Sequence, residues 1–175
     1  LLRRVVRGRR SSRSTSTTTT TTNRRWLRSW LGRGGPRVGD VAPAWNVLAV
    51  PGGLTRIEDL LGHWVVLYFY PKADTPGCTA EACSLRDRVE MPGVKLYGAS
   101  TDFADSLVAF RATYALPFPL LSDPRGVLAQ RYGVLTHFGN RPVARRSTFL
   151  IDPRGQIARS VHGVVPQTHG EEISQ

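Results

Sequence analysis

Apolar residues along this chain gather into short blocks, and from Val38 the blocks take on a globular pattern. Val47-Leu-Ala-Val50 has the length of a short strand, with Pro51-Gly-Gly53 as its turn. Thr55-x-x-Glu58 has the form of a capping box and predicts a short helix through Leu61. From Trp64 to Tyr70 every position is apolar or aromatic, the pattern of a central strand covered on both faces. Pro71 to Gly77 reads as a loop. A helix is expected from about Cys78 to Val89, with Ala82, Leu85 and Val89 on one face. Val94 to Ser100 predicts a strand, and Ala104 to Tyr114 a helix with Asp102 as its cap. Leu120-Leu121 predicts a short strand and Gly126 to Tyr132 a helix. Ser147 to Asp152, the turn Pro153-Arg-Gly155, and Gln156 to Val161 predict a hairpin. A last helix opens near Thr168 and is expected to be cut off at Gln175. Strands alternating with helices and ending in a hairpin predict an α/β fold, a central mixed β-sheet flanked by helices.

Charge changes the picture at the N-terminal end. The 175 residues hold 24 Lys+Arg and 13 Asp+Glu, a formal net charge of +11, which taken whole points to nucleic acid or an anionic surface. Eleven arginines precede Asp40 and no acid does, so residues 40–175 balance 13 basic against 13 acidic side chains. Residues 1–36, rich in Arg and Ser/Thr with six threonines from Thr17 to Thr22, cannot bury enough apolar surface to offset their ordering entropy. They are expected to be a disordered extension ahead of one domain spanning 37–175. A transit peptide, a non-functional extension and a nucleic-acid or membrane-binding arm all stay open for it.

No apolar run approaches the roughly 18–20 residues of a membrane-spanning helix. Two cysteines, Cys78 and Cys83, do not make a disulfide scaffold. Their C-x4-C spacing lacks a second pair. His162 and His169 are too far apart for the usual zinc-ligand spacing, and His63 and His137 stand alone. All four histidines are read as ordinary surface or core residues.

The informative stretch is Tyr70-Pro-Lys-Ala-Asp-Thr-Pro-Gly-Cys78, where a central strand ends and a helix begins. Ligands of open α/β sheets bind outside the carboxyl ends of the strands. A cysteine in a first helical turn faces unpaired N–H groups and the positive end of the helix dipole, both of which favour a thiolate. Five positions along an ideal helix set Cys78 and Cys83 about 8.6 Å apart at Cα. That exceeds the ~7 Å limit for bridging without backbone movement. A static disulfide is therefore not expected. Cysteines that join only when a helical turn melts suit a cycle in which one is oxidised and the other resolves it.

Pro71-x-x-x-Thr75-x-x-Cys78, set in Val66-Leu-Tyr-Phe-Tyr-Pro-Lys72 and followed by Thr79-Ala-Glu-Ala-Cys-Ser-Leu-Arg-Asp87, resembles the peroxiredoxins. The cysteine separation resembles the Q-type, or bacterioferritin-comigratory, subgroup. Val38-Gly-Asp-Val-Ala-Pro43, Gly98-Ala-Ser-Thr-Asp102, Leu120-Leu-Ser-Asp123 and Arg146-Ser-Thr-Phe-Leu-Ile-Asp152 also match, so the resemblance covers about residues 37–173. It implies a thioredoxin-like fold and reduction of H2O2 or organic hydroperoxides, in antioxidant defence and redox homeostasis. Cys78 would be the peroxidatic thiolate, Thr75 would hydrogen-bond the peroxide and Pro71 would shield the pocket. Arg146 would face the thiolate, with neighbouring Arg145 the alternative by sequence. Cys83 would condense with the sulfenic acid, and thioredoxin or a similar dithiol would reduce the disulfide.

The resemblance implies no metal or organic cofactor, no nucleic-acid or membrane partner, and a monomer or weak homodimer. The expected location is cytoplasmic, or an organelle such as a plastid if residues 1–36 are a transit peptide. Two departures from the family stand out: a segment between Asp87 and Val94 that is a few residues short, and the shortened last helix. The competing classes are a nucleic-acid-binding module, resting only on the extension, and a redox-inactive structural relative.

Overall fold

A computed structural model describes residues 34–88 and 92–174. The expected extension lies outside the described residues as far as Arg33; Gly34, Gly35 and Pro36 sit beside Tyr132 and Gly133. Nine strands are described: β1 (Asn46–Val50), β2 (Gly53–Arg56), β3 (Trp64–Phe69), β4 (Val94–Ser100), β5 (Leu120–Ser122), β6 (Leu135–Phe138), β7 (Arg141–Ala144), β8 (Ser147–Ile151) and β9 (Ile157–His162). Seven of them form one sheet in the order β2-β1-β5-β4-β3-β8-β9, and β6 pairs with β7 apart from it. β3 runs parallel to β4 and β4 parallel to β5, while β8 pairs antiparallel to β3. The sheet is mixed and its helices flank it, as expected.

The unbroken apolar run of β3 explains its place. Strand side chains alternate between faces. Val65, Leu67 and Phe69 enter one core cluster with Trp45, Tyr132 and Phe149, and Val66, Tyr68 and Tyr70 enter the other with Leu107, Phe110 and Phe118. A strand buried on both faces can hold a fixed platform at its carboxyl end. The second cluster also contains Cys78, Ala82 and Leu85 of α1 (Pro76–Arg86), with α2 (Ala104–Thr113) beside it. α3 (Val127–Arg131) packs against the first cluster, and α4 (His169–Ile173) lies against α1.

Four local expectations are corrected. Thr55 belongs to β2, opposite Val47, and makes no capping bond; the short helix after it is a 3-10 turn over Ile57–Leu60. Its pairing with β1 competes with the cap and prevails. Asp102 does not cap α2, which starts after Phe103; its carboxylate instead accepts the N–H of Ala73 and the hydroxyl of Ser100. α1 begins two residues before Cys78, with Pro76 in its first turn where the missing N–H costs nothing. It ends at Arg86, because the Arg88 N–H closes a tight turn onto the Leu85 carbonyl. Val89 and part of the shortened segment after Asp87 lie outside the described residues.

The hairpin of β6 and β7 has no counterpart in the sequence expectations. Gly139-Asn140, a two-residue turn signal between β6 and β7, marks it. The Thr101 hydroxyl donates to the Pro142 carbonyl, tying the hairpin to the end of β4. It also sets the position at which the chain turns into Arg146.

Candidate active site

β3 delivers the chain to the site loop, and two side chains from neighbouring elements hold that loop. Asp102 Oδ2 accepts the Ala73 N–H at 2.7 Å, and the Tyr114 hydroxyl donates to Asp74 Oδ1 at 2.9 Å. Asp74 has φ of 56°, in the left-handed region where Asp is better tolerated than most residues. The loop then enters α1 at Thr75, whose backbone is extended and whose carbonyl accepts the Thr79 N–H. The Thr75 hydroxyl does not cap the helix. It donates to the Lys72 carbonyl at 3.0 Å, which leaves its oxygen lone pairs as acceptors.

Cys78 occupies the first turn of α1 and is 1% exposed. Arg146 Nη2 donates to its Sγ at 3.1 Å. The same guanidinium donates through Nη1 to Oε2 of Glu81, which is fully buried on the next turn of α1. Gly77 makes this approach possible: a Cβ there would lie 2.8 Å from Arg146 Nη2. Arg145 points elsewhere. It is exposed and donates to the Gly133 carbonyl, so Arg146 is the arginine that meets Cys78.

Pro71 is half-buried at the start of the site loop, and Thr75 is half-buried at the mouth of the helix. Cys83 lies on the last turns of α1, half-buried, and both cysteines are free thiols. Loop, helix and the β7–β8 junction thus bring Thr75, Cys78 and Arg146 to one end of the sheet. Cys83 is held five positions further along the same intact helix. Beneath α1, burial pushes the hydroxyl of Tyr68 well above the ordinary phenol range, with Tyr70, Glu81 and the two cysteines acting in the same sense. Burial likewise raises Tyr70, so both rings face the site as neutral phenols.

A cavity of about 670 Å3 borders Arg146 from the side of Arg37, Tyr132 and His162. None of Pro71, Thr75 and Cys78 lines it. The contact between a thiol and a guanidinium, rather than cavity size, locates the candidate site. Two buried residues behind the site, Glu81 and its neighbour His169, were not legible in the sequence as having a part in it. Glu81 had one weak signal, an acid three positions after Cys78 on the apolar side of α1 next to Ala82. His169 had none.

A family model for the AhpC/TSA family matches residues 38–160. The chain belongs to the AhpC/TSA family. Among curated relatives of this family, the putative peroxiredoxin bcp of Coxiella burnetii is 41% identical over 143 residues, covering 78% of this chain and 95% of that protein. Peroxiredoxin Bcp of Escherichia coli is 37% identical over 131 residues, covering 69% and 82%. Among solved structures, a cysteine-to-serine mutant of Xylella fastidiosa PrxQ superposes with a TM-score of 0.73 at 28% identity, covering 80% of this chain and 94% of that one. BcpB of Mycobacterium tuberculosis gives 0.72 at 30% identity, covering 78% and 93%. The fold is thioredoxin-like, and the chain falls in the Bcp/PrxQ branch of the peroxiredoxins. Its activity is that of a thiol peroxidase, with a peroxide as substrate and a thiol as reductant.

Proposed function

We propose that residues 37–175 form one peroxiredoxin domain that reduces hydrogen peroxide and organic hydroperoxides through Cys78, with Cys83 as the resolving thiol. The observation that carries this reading is the 3.1 Å contact between Arg146 Nη2 and Cys78 Sγ in the first turn of α1. The Cys78 thiolate attacks the terminal oxygen of the hydroperoxide; the O–O bond breaks, an S–O bond forms, and the departing oxygen leaves as water or an alcohol. The Thr75 oxygen, with its own proton committed to Lys72, accepts the hydroperoxide O–H and aligns it. Arg146 stabilises the thiolate and the charge developing on the departing oxygen. Pro71 screens the site from bulk water.

Cys78 sulfenic acid then condenses with the Cys83 thiol, releasing water and forming the Cys78–Cys83 disulfide. Both sulfurs lie on α1, so this step requires part of the helix to unwind. A dithiol of the thioredoxin kind reduces the disulfide by exchange and is itself oxidised. No step calls on a metal or an organic cofactor.

The test uses the full chain. Cys78→Ser is expected to abolish peroxide consumption with a thioredoxin system. Cys83→Ser is expected to consume one equivalent and stop, leaving a Cys78 sulfenic acid that dimedone traps as a mass adduct. Continued turnover in Cys78→Ser would falsify the mechanism.

A further inference from the structure

Glu81 and His169 are both 0% exposed, and the peroxide chemistry above uses neither directly. His169 Nδ1 lies 3.0 Å from Glu81 Oε1, and its Nε2 lies 2.8 Å from the hydroxyl of buried Thr148 on β8. Glu81 gives its other oxygen to Arg146. The Nδ1···Oε1 approach is short but off the axis of a hydrogen bond, and neither atom has another hydrogen-bond partner among the described residues. A small rotation of the ring converts that approach into a hydrogen bond. A buried carboxylate held between a guanidinium and an imidazole needs both, because an unsatisfied lone pair in the core carries its full desolvation cost.

The proton inventory is constrained. An ionised Glu81 is an acceptor only, so the proton between the facing atoms sits on His169 Nδ1. Nε2 of the same ring meets the Thr148 hydroxyl at 2.8 Å. The result is a connected row of side chains, Thr148, His169, Glu81, Arg146 and Cys78, in which Glu81 faces His169 Nδ1 with one oxygen, accepts from Arg146 with the other, and Arg146 also donates to Sγ.

The placement of the imidazole is also fixed. α4 meets α1 through the Gly170 N–H, which donates to the Ser84 hydroxyl at 3.0 Å, and through the Arg88–Glu171 ion pair. Gly170 is required for this fit: a Cβ there would lie 2.2 Å from the Ser84 carbonyl oxygen. The residue before it is thereby brought beside the residue three positions before Ser84, which is Glu81.

We propose that His169 is a positioning residue for peroxide reduction: through Glu81 it orients the Arg146 guanidinium against Cys78. The proposal rests on the assignment of Cys78 as the peroxidatic thiolate. It makes α4 a working part of the active site although no atom of α4 reaches the sulfur.

The test compares two second-order rates for Cys78 in the full chain, oxidation by H2O2 and alkylation by iodoacetamide. Both draw on the Cys78 thiolate, but only the first also needs Arg146 aligned on the departing oxygen of the peroxide. His169→Phe keeps the ring that stacks edge-on to Tyr68. It is expected to slow peroxide oxidation by about 10- to 100-fold, the scale on which small misplacements act, while alkylation changes far less. His169→Asn, which can still donate to Glu81, is expected to recover most of the rate; His169→Gln, whose amide reaches the Thr148 side, is not. In an Arg146→Lys background, His169→Phe should have no further effect on the peroxide rate.

An unchanged peroxide rate in His169→Phe overturns the proposal, as does an equal fall in both rates or a full effect persisting beside Arg146→Lys. If His169→Phe does not fold, equal rates in the Asn and Gln variants overturn it. Peroxide reactivity surviving in Cys78→Ser overturns the site assignment instead, and the proposal with it.

Discussion

Arg146 serves two acceptors at once, the Cys78 sulfur and the Glu81 carboxylate, and only a planar fork of N–H groups does this from one side chain. Arg146→Lys keeps the charge but cannot span both. It is expected to lower the peroxide kcat/KM by roughly 10²-fold, the scale of one lost oxyanion donor, as read by stopped-flow oxidation of Cys78. At the far end of the same strand, Asp152 shows a second residue-scale effect. Its carboxyl is held below the ordinary carboxylate range, chiefly by the Gln156 backbone N–H and further by Arg154. A lowered folded-state value means that this contribution to stability is present above the ordinary carboxylate range and is lost as pH falls through the lowered value. Asp152→Asn should therefore flatten the acid limb of stability against pH, measured by urea unfolding at a series of pH values. A limb as steep as in the parent chain would assign the acid sensitivity to other carboxylates.

At the scale of elements, the proposed mechanism gives α1 two jobs that pull against each other. Its first turn must stay formed to hold Cys78 beneath Arg146, and its last turns must unwind to bring Cys83 across. α4 packs on the second half through Ser84 and Glu81, and on Arg88 just past its end. Gly170→Ala sets a methyl group against the Ser84 carbonyl and should lift α4, at a cost of about 1–3 kcal/mol for overpacking. Thermal unfolding should move down accordingly. Disulfide formation after a pulse of peroxide, followed by acid quench and intact mass, should become faster relative to Cys78 oxidation. A slower disulfide step would mean that α4 assists the unwinding instead of restraining it. Much at this scale was legible beforehand. β3 announces itself by an apolar run of strand length, β8 and β9 by the turn Pro153-Arg-Gly155 between them, and α1 by its apolar spacing. The capping box at Thr55 misled because strand pairing with β1, a contact across a turn, outweighs a local capping preference.

The whole molecule separates its charge from its chemistry. Ten of the arginines ahead of Asp40 lie in residues 1–33, and removing ten positive charges from a net +11 leaves +1. A chain beginning at Gly34 should lose most of its retention on heparin or duplex DNA, and the salt dependence of that retention, while its peroxidase rate stays the same. Retained salt-dependent binding would place an anion-binding surface on the domain itself, with the cavity beside Arg37 and Arg145 the first place to look. Among the described residues no helix is long and apolar enough to cross a membrane.

What the sequence determined by itself was local: the two-faced burial of β3, the turn from Tyr70 into a helix, and a cysteine pair five positions apart on that helix. Each is written in the order or period of adjacent residues, and periodicity reports which face is buried. Which of the adjacent arginines lies against Cys78 is seen only in the tertiary structure, where Arg145 donates to the Gly133 carbonyl and Arg146 to the Cys78 sulfur. The meeting of Glu81 with His169 was decided by the seat of α4 on α1, where a backbone-to-backbone approach at Gly170 fixes the register. Such pairings depend on how distant elements pack, and packing of that kind leaves no period in the chain.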